Sequence, residues 1–283
     1  MSSVIVDWRR TPFSRSHKGE LSGVRPDEFA SQVLVELLNN LDIDPAEIDD
    51  VIVGCAYPEG EQGYNIGRLM ALMSGLPKET PGITINRLCG SSMQAIMYAS
   101  ANISAGLGEC FVCGGIESMS RFGPAFIDGG TVTAATSSPL TDGAVFSIIC
   151  SENFARKNEL QPLARIVSAA TTGCPPELMG LGPVSSIRLA LERADWDSNE
   201  IDVIELNEAF SSQSIACIRE LGLNPEIVNI DGGALSIGHP LGASGARIAC
   251  KAASIMTREG GKKALASMCI GGGMGISIAM ESL

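Results

Sequence analysis

The chain repeats one pattern twice, about 150 residues apart, and this duplication restricts the fold more than any other feature. An acidic turn at residues 41–49 leads into an apolar strand, and residues 194–202 do the same in the second copy. Further along each copy, a sharp turn precedes a helix of small residues and then an apolar strand that runs into glycines. Cys89 stands in the first of these turns and His239 in the second, so they occupy equivalent corners of two related units.

The helices predicted after these turns, residues 90–105 and 242–254, are rich in Ala, Ser and Gly on nearly all sides. Such helices are buried, with their backbones close to neighbouring elements. We therefore expect an α/β fold made of a duplicated unit, layered αβαβα, with two mixed sheets around two buried central helices.

The halves are predicted to divide into residues 1–160, which carry Cys89, and residues 161–283, which carry the second set of candidate residues. Residues 121–143 interrupt the first half. They are rich in Gly, Thr, Ser and Pro and have no clear period, so a shortened surface excursion is predicted there.

Composition excludes several classes of protein. Hydrophobic residues make up 45% and charged residues 18%, which is enough for a core and excludes disorder. The 20 Lys and Arg against 32 Asp and Glu, with no basic run, argue against a nucleic-acid or anionic-membrane partner. No stretch approaches a membrane span, and residues 1–10 are predicted to be a strand rather than a signal peptide. We expect a cytoplasmic protein, with the mitochondrial matrix as the alternative.

The nine cysteines are an odd number in a chain too long to need disulfides, and most are predicted to be reduced, buried thiols. Cys110 and Cys113 form a CxxC pair that could be a redox or metal half-site. There is no second such pair, and His17 and His239 are the only histidines, so no metal is expected. A GxGxxG segment after a strand is also absent, so a nicotinamide cofactor is not implied.

Four residues carry candidate chemistry. Cys89 lies where a helix begins, and unpaired N–H groups there favour a thiolate and can hold an oxyanion; a buried structural cysteine is the alternative. His239 lies in a Gly- and Pro-dense turn that can face Cys89. Cys269 ends a buried strand on a glycine turn, where a thiol can exchange protons with a carbon acid. Asn207 follows another strand, with simple helix capping as its alternative role. His17 is expected to be an exposed loop residue.

At this point the sequence resembles the thiolases, and most closely the degradative 3-ketoacyl-CoA thiolases (acetyl-CoA acyltransferases) of fatty-acid β-oxidation. Four blocks in the right order carry the resemblance: Asn86-Arg-Leu-Cys-Gly-Ser-Ser-Met-Gln-Ala, Asn207-Glu-Ala-Phe, Gly233-Ala-Leu-Ser-Ile-Gly-His-Pro-Leu-Gly-Ala-Ser-Gly and Cys269-Ile-Gly-Gly-Gly-Met-Gly. The resemblance implies the thiolase-like duplicated fold and the thiolytic cleavage of 3-ketoacyl-CoA, or the reverse Claisen condensation.

The resemblance also implies roles. Cys89 would carry the acyl group as a thioester, His239 would activate it, and Cys269 would protonate the departing acetyl-CoA carbanion. Asn207 would hold a water that, with His239, binds the enolate oxygen, and the N–H groups of Cys89 and Gly271 would form a second oxyanion hole. Coenzyme A or acyl-CoA would be substrate, with no tightly bound cofactor. The residues implied for the pantetheine arm are Met179, Ala209 and Phe210, with Ala134 and Ser138 on the loop side.

The sequence departs from the family at one place. Thiolases insert a long loop domain after the strand that here ends near Ser120, whereas this chain runs almost directly from Pro124 into what resembles the end of that domain. About a hundred residues are missing, and a natural lidless thiolase, an engineered deletion and an omitted segment all fit. Because that loop carries much of the coenzyme A pocket, weak coenzyme A affinity and faster hydrolysis of the acyl-enzyme are expected.

Two other functions share parts of this pattern. A non-catalytic or weakly active thiolase-fold subunit would explain the missing loop. A binding protein, however, needs none of the four candidate catalytic residues, Cys89, His239, Asn207 and Cys269. A ketosynthase pairs its cysteine with two histidines, and this chain lacks a suitable second one. The resemblance implies a homodimer through the N-terminal half, with a tetramer less favoured, and allows a hydratase/dehydrogenase partner of a β-oxidation complex.

Overall fold

The computed structural model describes residues 1–121 and 133–283. The part of the predicted excursion at 122–132 lies outside the described residues. The strands are β1 Ser3–Arg10, β2 Ser14–Arg15, β3 Asp50–Gly54, β4 Gly82–Ile85, β5 Cys110–Ser118, β6 Thr141–Ser151, β7 Ala164–Gly173, β8 Val203–Leu206, β9 Lys263–Ile270 and β10 Met274–Glu281. The helices are α1 Pro26–Asn39, α2 Ile66–Met73, α3 Ser91–Ala105, α4 Glu152–Lys157, α5 Gly182–Ala194, α6 Ser211–Leu221, α7 Ala234–Ile237 and α8 Leu241–Glu259.

The sheet confirms the duplicated, mixed α/β organisation. The first half has the strand order β4-β3-β5-β6-β1 and the second has β7-β10-β9-β8. Strand β3 is parallel to β4 and β5, and β8 is parallel to β9, while the remaining neighbours along this order are antiparallel.

The expected two sheets are joined into one in the described residues. The joint is short: Ser3, Val4 and Ile5 of β1 pair antiparallel with Ile166, Arg165 and Ala164 of β7. Sequence periodicity predicts the strands of each half but carries no signal for this pairing, because pairing between the two edge strands depends on how the halves meet.

Five layers are present, as expected. Helices α3 and α8 pack against each other in the centre, and each contacts strands of both halves. On the outer faces, α1 and α2 cover the first half, and α5 covers β7 and β10 of the second. Gly115 of β5 shows why the central layer needs small residues, since a Cβ there would lie 2.3 Å from the carbonyl oxygen of Gly242 and 2.8 Å from Ser92 Cβ.

Element boundaries follow the predictions closely. Strands β4 and β8 have the predicted bounds, α3 begins one residue later than predicted, and α8 continues past residue 254 to Glu259. The excursion ends earlier than residue 143, because Thr141, Asp142 and Gly143 already belong to β6 and pair with β2 or β5. His17 is exposed, as expected, and all nine cysteines are free. No helix within residues 1–121 and 133–283 is long and apolar enough to cross a membrane.

Candidate active site

Cys89 lies in the turn between β4 and α3. The turn is held locally: the Asn86 side-chain oxygen accepts a hydrogen bond from the Leu88 N–H at 2.8 Å, and Ser91 Oγ donates to the Leu88 carbonyl at 2.6 Å. Leu88 adopts a φ of 45°, a left-handed conformation that a leucine seldom takes and that this turn imposes. The cysteine is half-buried and lies two residues before Ser91, where α3 begins.

Burial dominates the electrostatics of this thiol. Burial, with a smaller contribution from the charge of Glu117, raises the pKa of Cys89 to about 11. The backbone N–H groups of Gly271 and of Cys89 itself act in the opposite direction and lower the pKa. The thiolate stabilisation expected at a helix start is therefore present but outweighed, and the resting group is a thiol. The same two N–H groups are the pair that the resemblance implies for an oxyanion hole.

His239 lies in the turn between α7 and α8, where three contacts hold it. Its Nδ1 is 2.6 Å from Ser244 Oγ, its Nε2 is 3.3 Å from Asn207 Nδ2, and its backbone N–H donates to Thr141 Oγ1 at 3.1 Å. Burial, and then the charge of Arg247, lower the pKa of His239 to about 3, so the ring is neutral. With the Asn207 amide donating to Nε2, the ring proton is on Nδ1 and Nε2 keeps its lone pair.

Asn207 does not cap a helix, so the alternative role considered for it is wrong. Helix α6 begins at Ser211, is preceded by Phe210 and has no side-chain cap. Asn207 is instead fully buried beside His239, and its Oδ1 has no hydrogen-bond partner among the described residues. A buried acceptor without a partner suits the water-holding role that the resemblance implies.

Cys269 lies in β9, one residue before the strand ends, and is buried. Burial raises the pKa of its thiol well above the usual range, and the next cause is the neighbouring Cys89. The structure therefore brings Cys89 together with Cys269 and Gly271, and Asn207 together with His239. No hydrogen bond joins the side chains of Cys89 and His239 within the part of the chain that the structure describes.

The residues implied for the pantetheine arm lie in two neighbouring segments. The Ser138 N–H donates to the Ala209 carbonyl at 3.0 Å, and Ser137 forms a bridge with Phe210, so the segment that begins near Ala134 runs beside Phe210. Met179 lies in the turn Pro176–Leu181, which packs against α6.

Sequence reasoning missed three residues that build the site: Ser244, Thr141 and Glu117. A signal existed for two of them. Ser244 is a hydroxyl in the first turn of the helix that follows His239, and Glu117 is a carboxylate inside the otherwise uncharged β5. The contact of Thr141 spans the two halves and has no local signal.

Acyl transfer is the chemistry that these groups can perform together. A cysteine whose sulfur faces two backbone N–H groups can attack a carbonyl and have the resulting oxyanion held, while the neutral histidine and the second thiol can move protons. Fold and site thus define an acyltransferase that works through a cysteine.

Comparison with known proteins specifies the family. Residues 3–123 match the N-terminal domain of thiolase and residues 160–282 match the C-terminal domain of thiolase, so the chain belongs to the thiolase family. It is 34% identical to a 3-ketoacyl-CoA thiolase of Shewanella loihica over 382 aligned positions, which span 99% of each chain. It is 35% identical to a beta-ketoadipyl-CoA thiolase of Escherichia coli over 395 positions, 98% of each chain.

The alignment lengths also bear on the shortened excursion. The Shewanella alignment runs over 382 positions although this chain has 283 residues, so about a hundred positions of that relative have no counterpart here. The N-terminal family match stops at residue 123, where the sequence predicts the shortening.

Proposed function

We propose that this thiolase-family acyltransferase cleaves 3-ketoacyl-CoA with coenzyme A to give acetyl-CoA and a shortened acyl-CoA, and runs the reverse condensation. The observation that supports this most is the placing of Cys89 Sγ against the N–H of Gly271 with Cys269 as its neighbour. Both named relatives take 3-ketoacyl-CoA thioesters by their names, so this class is proposed without a chain length, with fatty-acid β-oxidation as its setting.

The first half-reaction forms the acyl-enzyme. His239 Nε2 takes the proton as Cys89 Sγ attacks the ketone carbon, and the N–H groups of Cys89 and Gly271 hold the oxyanion. Collapse breaks the carbon–carbon bond and leaves the acyl group on Cys89. The enolate of acetyl-CoA is held by His239 and a water on Asn207, and Cys269 protonates its carbon.

The second half-reaction releases the product. The Cys269 thiolate takes the proton from the thiol of a fresh coenzyme A as that sulfur attacks the Cys89 thioester, and the same N–H pair holds the oxyanion. The acyl group then leaves on coenzyme A, and protonated His239 returns its proton to the Cys89 sulfur. Neutral His239 and protonated Cys89 suit this scheme, because the proton moves only as the bond to carbon forms.

Substrate contacts are proposed for Met179, Ala209 and Phe210 and, on the loop side, for Ala134 and Ser138. The hydrogen bond from Ser138 to Ala209 supports a shared wall for the pantetheine arm. Because about a hundred positions of the relative have no counterpart, binding energy remote from the reacting carbon is reduced. Weak coenzyme A affinity and rapid hydrolysis of the acyl-enzyme are therefore part of the proposal.

A homodimer is proposed through the N-terminal half. Strand β4 is the outer edge of the sheet, and the surface around it carries the exposed apolar side chains of Leu72, Met73 and Ile83. An unpaired edge with apolar neighbours is what a second copy can cover. The free cysteines suit a reducing compartment, which supports the cytoplasm, or the mitochondrial matrix, as the location. A hydratase/dehydrogenase partner remains part of the proposal on family grounds alone.

The deciding experiment is intact-mass spectrometry after brief incubation with acetyl-CoA, followed by peptide mapping. One acetyl group on Cys89 in the wild type, absent in Cys89→Ala, is expected. If the folded protein takes no acetyl group at high acetyl-CoA, the proposed catalytic function is refuted. The non-catalytic alternative, which no observation now favours, would then be the better hypothesis.

A further inference from the structure

Glu117 is a carboxylate at the centre of the protein that the catalytic scheme does not use. It lies in β5, next to the strand's last residue, and is fully buried. Burial raises the pKa of Glu117, and four donors offset part of this rise: the backbone N–H groups of Gly242, Ala56 and Tyr57 and the side-chain amide of Gln62. A buried carboxylate with this many N–H donors is arranged as an acceptor, and therefore as an anion.

The donors come from both halves of the duplicated fold. Glu117 Oε2 accepts from the Gly242 N–H at 2.9 Å, in the first turn of α8 three residues after His239, and from the Ala56 N–H at 2.8 Å. Gly242 must be a glycine for this contact, since a Cβ there would lie 2.8 Å from both Glu117 Oε2 and the Ala56 nitrogen. One oxygen atom therefore joins the histidine turn to the segment after β3.

The path continues to the nucleophile. The Ala56 carbonyl accepts from Asn86 Nδ2 at 2.9 Å, and Asn86 Oδ1 accepts from the Leu88 N–H at 2.8 Å, directly before Cys89. A continuous chain of hydrogen bonds thus connects Gly242, Glu117, Ala56, Asn86 and Leu88. This chain of hydrogen bonds connects the turn before α3, which carries Cys89, with the start of α8, which follows His239. Cys89 and His239 must both reach the substrate.

We propose that Glu117 is a positioning residue for acyl transfer, which with Asn86 holds the Cys89 turn and the His239 turn in register. This inference rests on the proposed function for its acyl-transfer step. Its charge supplies an independent readout, because Glu117 also raises the pKa of Cys89. A variant that loses the charge should make the thiol more acidic even as it makes acyl transfer slower, which a purely structural role does not predict.

The test compares Glu117→Gln, Asn86→Ala and the control Glu109→Gln. Glu109 lies just before the other end of β5, roughly 25 Å from Glu117 at the strand rise, so E109Q removes the same charge away from the site. Two rates are measured on each folded variant: single-turnover acetylation of Cys89 at saturating acetyl-CoA, and iodoacetamide alkylation of Cys89 from pH 7 to 10, both by peptide mass spectrometry.

In E117Q we expect acetylation to slow about tenfold or more, as small misplacements of reacting groups do, with the half-saturating acetyl-CoA concentration little changed. Its alkylation profile should shift to lower pH. Asn86→Ala should slow acetylation without that shift, and E109Q should change neither rate. Acetylation of E117Q within twofold of the wild type, or an unshifted alkylation profile, overturns the proposal. If the wild type is not acetylated at all, the proposed function fails and the positioning role fails with it, while the alkylation profiles still decide whether the charge of Glu117 acts on the Cys89 thiol.

Discussion

The contact between Ser244 and His239 gives the sharpest prediction about catalysis. Ser244 Oγ lies 2.6 Å from His239 Nδ1, both residues are buried, and the opposite nitrogen faces the Asn207 amide. Ser244→Ala removes the acceptor of the Nδ1 proton and leaves a buried N–H without a partner. The ring then loses one of the two side-chain contacts that fix its tautomer and orientation, and only the Asn207 amide remains.

The size of the effect follows from the burial. An unpaired buried donor costs about 1–3 kcal/mol, and the same amount lost from the transition state slows the reaction by about 5- to 150-fold. We expect S244A to acetylate Cys89 more slowly by a factor in this range and to lose about 1–3 kcal/mol of unfolding free energy. Quenched single-turnover acetylation and urea unfolding measure the two quantities.

Ser254→Ala is the matched control. Ser254 lies on the same helix, and its Oγ accepts from Trp8 Nε1 at 2.9 Å, away from the catalytic residues. S254A should lose about 1 kcal/mol of stability with unchanged acetylation. The reasoning is refuted if folded S244A acetylates within twofold of the wild type, or if S254A slows acetylation as much as S244A does.

Three further predictions concern pH, the buried ion pair and the sheet edge. Since the pKa of His239 is lowered to about 3, the unfolded chain binds a proton that the folded chain rejects, so unfolding free energy should fall as pH drops below about 6.5, by up to 1.4 kcal/mol per pH unit. Urea titrations of His239→Asn should lack this slope, and an equal slope in the variant would refute the assignment. Glu205→Met removes the hydrogen-bonded partner, at 2.8 Å, of the buried Arg247 guanidinium, and should cost about 3–5 kcal/mol in chemical denaturation. The double variant E205M/R247M should recover most of that loss, and a double variant no more stable than the single one would contradict the pairing argument. Ile83→Lys on β4 should convert the proposed dimer to a monomer in light scattering, whereas Ile230→Lys, which is similarly exposed in the second half, should not, and a dimeric I83K would exclude this edge as the interface.

The sequence alone was sufficient for the duplicated fold and for four of the catalytic residues proposed. Helical and strand periods are local, so β4 and β8 were predicted with the bounds that the structure shows. The Ala, Ser and Gly content of α3 and α8 is also a local property of the chain, and it predicted that these helices form a buried central layer. Cys89, His239, Asn207 and Cys269 were recognised because each lies in a turn or at a strand end whose local composition is unusual.

Only the tertiary structure decided how those residues are held and charged. The joint between β1 and β7, the hydrogen bond from His239 to Thr141 and the path from Glu117 to Asn86 each connect residues distant in the chain. The structure also reversed the expected charge state of the nucleophile: the helix start favours a thiolate, but burial keeps Cys89 a thiol. The physical reason is that the desolvation of a group depends on every element packed around it. Turns, periodic patterns and motifs are determined only by residues that are close in the sequence.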